Sequence, residues 1–453
     1  MLFRSGDIDY VFNLDWAMLV TGLDDGGGDT VWNPPADDDD ALDDGRIDWS
    51  SFSDGNGSTN RFSEDTDIQT DIDQPVLANF DKSTSTGNPV EGGQTVYYQV
   101  TFNNTGWNTA FDTVIADLIP EGMRNNSPAV DNIDVGGRTL STPADYTTAW
   151  SGQTFTVTFV SSDTSLPVAT NTSPSRIETG ETVTIDYHVT VDADVGANFS
   201  MTDEARVNEY TSLPGADPDE RTYPGIGPDD ETHYTDPAEV GKAQSSESYT
   251  PGDNVTIGEP LDYIISVDLP TNTTAYDLLV TDTVPDGLTV TGITPNPAAV
   301  FTSYTENPDG TTDVTVGYGD FGPGQTGTDA TVTIATYVDQ TDAGGCALRG
   351  DTFTDRGYIG WNNQSSGGDW FTDTSGQVTT TVVEPTLRID KTAFPTSGDA
   401  GDVVTVTLTS DHTGPSDSDA FDAIITDVLP SALTWDNNVS SSGPAFTADT
   451  SGL

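Results

Sequence analysis

Lysine is almost absent from this 453-residue chain: Lys82, Lys242 and Lys391 stand beside eleven arginines and 74 acidic residues. Positive charge this scarce, with a formal net charge of −60 and a pI of about 4.1, makes the surface repel nucleic acid and anionic lipid, so neither is expected as a partner. Cysteine occurs once, at Cys346, which excludes an internal disulfide and a multi-cysteine metal site. No run approaches the roughly 20 apolar residues of a membrane-spanning helix, so no membrane insertion is expected. Phosphate-binding glycine loops, nucleophile elbows and zinc-protease helices are missing as well, and His188, His233 and His412 show no ligand spacing. The chain therefore reads as no enzyme and as needing no cofactor.

What the chain has in quantity is aspartate, 45 glycines, 27 prolines, and short alternating runs of Val, Ile, Thr, Tyr and Phe. Alternation of this kind specifies half-buried strands, too apolar for a disordered acidic chain. A surface of aspartate without lysine suits high salt or abundant divalent cations, as in a halophilic or marine setting. The opening Met1 to Ser5 has neither the charged nor the apolar region of a secretory signal, and Leu2 to Ser5 matches one reading frame of a sequencing adapter. The sequence thus reads as a fragment with an artefactual start.

A repeat organises the rest. The unit Ala-(Phe/Tyr)-Asp-x-x-x-(Ala/Thr)-Asp-x-x-Pro occurs from Ala110 to Pro120, from Ala275 to Pro285 and from Ala420 to Pro430, at intervals of 165 and 145 residues. A strand-like run precedes each copy, namely 95–102, 261–267 and 403–408, and nothing carries a helical period. Tandem immunoglobulin-like β-sandwiches follow as the expected all-β fold. The expected divisions are 1–76 as the tail of a preceding repeat, 77–237 and 238–385 as whole repeats, and 386–453 as a truncated one. The tail is read from Asp43 to Trp49, which matches Asp355 to Trp361.

Each lysine lies two residues after an apolar residue, Phe80, Val240 or Ile389, so strand alternation turns it toward the core. By the same alternation Asp117 shares a face with Phe111, Thr113 and Ile115, and Asp282 with Tyr276, Leu278 and Val280. Asp427 shares one with Phe421 and Ile425, Asp203 with Met201 and Val207, and Asp355 with Phe353 and Ile359. The first aspartates of the motif, Asp112, Asp277 and Asp422, fall on the opposite face as solvated or turn-capping residues. Every whole repeat thus sends one lysine and two aspartates inward.

Burial drives a lysine toward its neutral amine and an aspartate toward its neutral acid, which are the forms that amide chemistry needs. The amine attacks one carboxyl, the second carboxyl moves the proton, and the product is an isopeptide bond joining the first strand of the domain to its last. An unreacted, hydrogen-bonded triad is the other reading of the same residues.

The run from Lys242 through Gly258 to Tyr263, and on from Val280 to Leu288, resembles the extracellular tandem-repeat domain of bacterial and archaeal surface proteins. It is also similar to the isopeptide-forming domains of fimbrial subunits and collagen-adhesin-type stalks. In those relatives a lysine bonds an asparagine with the help of an acid on a middle strand. The resemblance implies Lys82 and Lys242 as amines, Asp117 and Asp282 as helper acids, and Asp203 and Asp355 as acceptors. Because both acceptors are aspartates, condensation would release water rather than ammonia. The third copy has Lys391 and Asp427, no acceptor, and no tyrosine on its early strand.

The resemblance further implies an extracellular or cell-surface stalk or spacer of an adhesin-like protein, whose partners are neighbouring repeats, surface glycans or other surface proteins. The alternative is a calcium- or glycan-binding module acting by avidity. Acid-rich stretches at 37–40, 64–73 and 217–236 would supply calcium ligands, and exposed aromatics between Trp361 and Phe371 a glycan platform.

Overall fold

The computed structural model describes residues 39–50, 61–72 and 74–447, apart from 166–167, 218–219, 247–249, 251–252, 324–328, 340–346, 437 and 444–446. Residues 6–38 of the expected preceding repeat, and Cys346, lie outside the described residues. Among the described residues there is no α-helix, and one 3-10 turn, Val168–Thr170, interrupts an otherwise all-β chain.

An antiparallel hairpin comes first, β1 (Asp39–Ser50) with β2 (Arg61–Ile72). The first sandwich follows as β3 (Leu77–Thr84), β4 (Thr95–Asn104), β5 (Phe111–Leu118), β6 (Ala129–Val135), β7 (Arg138–Thr139), β8 (Tyr146–Ser151), β9 (Thr154–Phe159), β10 (Thr182–Thr190), β11 (Ser200–Thr211), β12 (Thr222–Pro224) and β13 (Asp229–Tyr234). One sheet has the order β3-β4-β10-β6-β7 and the other β12-β11-β5-β9-β8, with β13 also paired to β11.

The second sandwich comprises β14 (Glu239–Ser246), β15 (Asn254–Val255), β16 (Pro260–Asp268), β17 (Ala275–Val284), β18 (Leu288–Asn296), β19 (Phe301–Glu306), β20 (Thr312–Phe321), β21 (Asp329–Val338), β22 (Thr352–Asp355), β23 (Gly357–Asn362), β24 (Trp370–Thr374) and β25 (Val378–Val382). Its main sheets are β14-β16-β21-β18 and β19-β20-β17-β23-β24, and β15, β25 and β22 form a small third sheet. Beyond it, β26 (Leu387–Phe394) pairs with β27 (Thr405–His412).

Alternation explains the layers. Along β10 the residues Val183, Ile185, Tyr187 and Val189 are buried while their neighbours are half-exposed, and β16 repeats the pattern with Leu261, Tyr263, Ile265 and Val267. Each sandwich closes over its own apolar cluster, and full burial of one such side chain contributes about 1.5–3 kcal/mol.

The first aspartates of the repeated motif have a structural task that alternation did not reveal. Asp112, Asp277 and Asp422 all adopt the left-handed region, with φ of 43°, 53° and 51°. The pairing of β17 slips at this point, so Asp277 sits in a bulge. Aspartate tolerates such a backbone better than most residues, and its side chain bonds locally: Asp112 accepts from the backbone N–H groups of Ser161 and Gly215. Past the bulge the strand regains its period, which turns Asp117 and Asp282 inward.

The sandwiches are joined tightly. Only four residues separate β13 from β14, and Ala197 of the first sandwich is buried within the apolar cluster of the second. Ala197 N–H donates to Thr274 O, Thr274 N–H donates to Val195 O, and Thr235 Oγ1 donates to Gly196 O at 2.6 Å. A Cβ on Gly196 would run into the carbonyl of Asn363, so only glycine allows this approach.

Candidate functional site

Lys82 projects from β3 across the core of the first sandwich to the opposite sheet, where β5 and β11 lie side by side. Asp117 is paired with Ala205, so Asp203, two residues earlier on β11, is its diagonal neighbour on the same face. In the second sandwich Asp282 is paired with Gly357, and Asp355 stands two residues earlier. The same register therefore places both carboxylates at the tip of the lysine twice.

The contacts are equally parallel. Lys82 Nζ donates to Asp117 Oδ1 at 2.9 Å and lies 2.7 Å from Asp203 Oδ1, with the Lys82 and Asp203 side chains wholly shielded from solvent. Lys242 Nζ donates to Asp282 Oδ2 at 2.6 Å and lies 2.5 Å from Asp355 Oδ2. In both sandwiches the hydrogen bond goes to the aspartate on the middle strand. The second approach is as close but is not directed as a hydrogen bond: neither Asp203 oxygen nor Asp355 Oδ2 accepts one. Each amine is thus held by one carboxylate against a second, and in the second sandwich the other oxygen of that second carboxylate, Asp355 Oδ1, accepts the backbone N–H of Arg356 at 2.6 Å.

A tyrosine ring completes each pocket. Lys82 pairs with Val100 and Lys242 with Ile265, and the residue two positions earlier on the partner strand is Tyr98 or Tyr263. Nζ lies 4.5 Å from the centre of the Tyr98 ring and 4.3 Å from that of Tyr263, a cation–π contact. Tyr187 adds a second ring to the first pocket, where the second sandwich has Ile334 opposite Tyr263. Burial, with the nearby carboxylates, drives the hydroxyls of Tyr98, Tyr187 and Tyr263 well above the usual tyrosine range, so all three stay protonated.

One aspartate of each pair is driven toward its protonated form. Burial and the neighbouring Asp117 push Asp203 well above the usual aspartate range against the pull of Lys82. In the second sandwich burial raises Asp282 instead, to about 7, with Asp355 adding to the rise and Lys242 opposing it. Each site thus brings an aspartate driven toward its neutral acid into contact with a lysine and beside a second aspartate, the components of an amide condensation.

The remaining sequence expectations fare differently. Lys391 and Asp427 meet at 2.5 Å, but both are partly exposed, and Val406 stands where Tyr98 and Tyr263 do. The acceptor strand is not the last of its domain: β12 and β13 follow Asp203, and β23, β24 and β25 follow Asp355, because the sheet is extended beyond the acceptor by further pairing. The aromatics between Trp361 and Phe371 divide between core and surface. Trp361 is 1% exposed and belongs to the core, leaving Trp370 half-exposed beside it. Nor is His233 isolated, for it is buried against Tyr98 beside the first lysine. His188 lies on the outer face, with Nδ1 2.9 Å from the Asp131 carboxylate. Among the described residues no group of three or more His, Cys, Asp or Glu is gathered as a metal ion would require.

No family model matches the chain, and no curated protein matches it. Solved structures similar to it include the C-terminal domain of the Streptococcus pyogenes antigen I/II-family protein AspA, at 12% identity, covering 69% of this chain and 100% of that one with a TM-score of 0.27. Domains D2 and D3 of the major pilin SpaD from Corynebacterium diphtheriae match at 13% identity over 64% of this chain and 84% of that one, again with a TM-score of 0.27. The Actinomyces fimbrial adhesin FimA matches at 14% identity over 74% and 96%, with a TM-score of 0.24. With scores this low, the sandwich fold rests on the sheet pairings themselves.

Proposed function

We propose that this chain is a structural stalk or spacer segment of a large secreted or cell-surface adhesin-like protein, hardened by intramolecular Lys–Asp isopeptide bonds. Residues 77–237 and 238–385 are taken as two self-linking repeats, with 386–453 belonging to another. The observation that carries this reading is the sealed contact of Lys82 with Asp203, and of Lys242 with Asp355, each beside a helper carboxylate in one shared register.

The balanced step is an attack of the lysine amine on the acceptor carboxyl carbon, forming the amide and expelling one water, with Asp117 or Asp282 holding the mobile proton. The links would close loops of 121 residues from Lys82 to Asp203 and 113 residues from Lys242 to Asp355. By analogy with disulfides, closing a loop of this length restrains the unfolded chain by about 4–5 kcal/mol. The role is non-enzymatic, since each site reacts once. Its partners within the chain are the neighbouring repeats. Of the aromatics that would favour the alternative, a calcium- or glycan-binding module, Trp361 is buried and Trp370 half-exposed.

Intact mass of the full chain under denaturing conditions tests the reading. The expected mass is two waters below that calculated, rising by one water in Lys82→Ala, after allowance for the substitution, and by two in Lys82→Ala with Lys242→Ala. Full mass in the unsubstituted chain would refute the crosslinks.

A further inference from the structure

The outer face of the first sandwich carries a set of side chains that the second lacks. Tyr97 and Gln99 on β4 point away from the core, alternating with the buried Val96, Tyr98 and Val100, and they pair with His188 and Asp186 on β10. Ser83 of β3 flanks Gln99 on its other side. Together with Asp131 of β6, the residues Ser83, Tyr97, Gln99 and Asp186 bound a groove of about 330 Å³, at the lower end of the sizes that small-ligand sites occupy.

The groove is organised in advance. Gln99 Nε2 donates to Asp186 Oδ1 at 2.8 Å, and His188 Nδ1 donates to the Asp131 carboxylate at 2.9 Å. The Tyr97 ring lies 5.6 Å from the His188 ring while staying half-exposed. Asp131 reaches the histidine because the pairing of β6 with β10 bulges there: Asn132 is opposite Asp186 and Val130 opposite Tyr187, with Asp131 as the extra residue between them. These contacts fix the side chains and leave Gln99 Oε1 and Asp186 Oδ2 as acceptors for a ligand.

Sheet stability alone does not call for this set. Matching Tyr98 with Tyr263, and Tyr187 with Ile334, places Asp262, Ile264, Thr333 and Ala335 of the second sandwich where the first has Tyr97, Gln99, Asp186 and His188. The second sandwich has a bulge nearby, but its extra residue is Thr291, whose hydroxyl turns back onto the Ala335 carbonyl. Val96, Tyr98 and Val100 answer to Leu261, Tyr263 and Ile265, so the core is kept while the outward face differs.

We propose that this groove binds a saccharide free of acidic groups, with one sugar ring seated on Tyr97. A half-exposed aromatic ring offers its face to the C–H groups of a sugar. The acceptors beside it call for hydroxyl donors, and a sugar ring presents several within the space where a peptide offers one backbone N–H per residue. The lining holds two carboxylates and no lysine or arginine, which in a chain of net charge −60 turns away uronic acids, sulfates and phosphates. The groove lies on the face of the sheet opposite the Lys82 pocket and stands independently of the crosslinks.

Native electrophoresis of the whole chain through gels containing mannan, glycogen or xyloglucan tests the site, with alginate as the acidic control. At least one of the neutral polysaccharides should retard the chain, and alginate should not. Tyr97→Ala should weaken the retardation roughly tenfold or more, Tyr97→Phe should keep most of it, and Trp370→Ala, which removes an exposed aromatic of the second sandwich, should leave it unchanged. Asp186→Ala should weaken it as well, so that a folding defect at position 97 cannot mimic the result. No retardation in any neutral gel, equal retardation in alginate, or retardation that survives Tyr97→Ala would each overturn the proposal.

Discussion

Trp361 of the second sandwich donates its indole Nε1–H to the carbonyl of Ala197 in the first, at 3.2 Å. Tyr210 does the corresponding work one repeat earlier, where its hydroxyl contacts the Pro75 carbonyl and the Leu77 N–H at the entry to the first sandwich. The pairing of Thr211 with Phe111 and of Asn362 with Tyr276 makes Tyr210 and Trp361 positional equivalents. The penultimate residue of β11 and of β23 is thus also the clamp on the chain that precedes its domain. Trp361→Ala should cost about 3–5 kcal/mol from the lost core volume. Trp361→Phe should cost about 1 kcal/mol for the indole bond, with both read from denaturant unfolding of the second sandwich.

Linking at the second site should depend on pH through Asp282. Its folded-state value of about 7 lies above the ordinary aspartate value of 3.8, so the folded, unlinked site binds more protons than the unfolded chain. The associated stability is fully present in acid and is lost as pH rises through about 7, and the proton needed for condensation is lost with it. The yield of linked second-site peptide after a fixed synthesis time should therefore be higher at pH 6 than at pH 8.

Lysine and helper-acid substitutions should separate stability from linking. Lys82→Ala abandons two buried acids and should cost roughly 3–5 kcal/mol, whereas Asp117→Asn leaves a balanced Lys82–Asp203 pair and should cost less. Both should abolish the first-site loss of water. Unfolding midpoints, together with intact mass, check the two halves of this prediction.

The left-handed aspartate sets a backbone requirement. At Asp112, with φ of 43°, alanine should destabilise by about 1–2 kcal/mol more than glycine, because only the alanine Cβ meets the strain. Thermal unfolding of the two variants would reveal an error here if alanine proved equal to glycine.

The burial of Lys82, Asp117 and Asp203 is legible in the sequence because strand alternation is a local rule and these residues sit inside regular runs. The bulges at Asp112 and Asp277 leave it intact, since they lie just before the inward-facing stretch. Longer-range pairing hides the rest. His233 looks isolated because its place beside Tyr98 depends on β13 folding back onto β11, about thirty residues after Asp203. Trp361 reads as a surface aromatic until the neighbouring sandwich supplies the carbonyl that it meets. The strands beyond the acceptor are equally hidden, because sheet order follows from pairing partners that no short window contains.

The ring beneath each buried amine has an optical consequence. Tyr263 lies 4.3 Å from the charge on Lys242, and condensation would replace that charge with a neutral amide without moving the ring out of the core. A tyrosine chromophore responds to a charge so near its π-system. The near-ultraviolet difference spectrum of the maturing protein should then act as a clock for its own crosslinking, with no label attached.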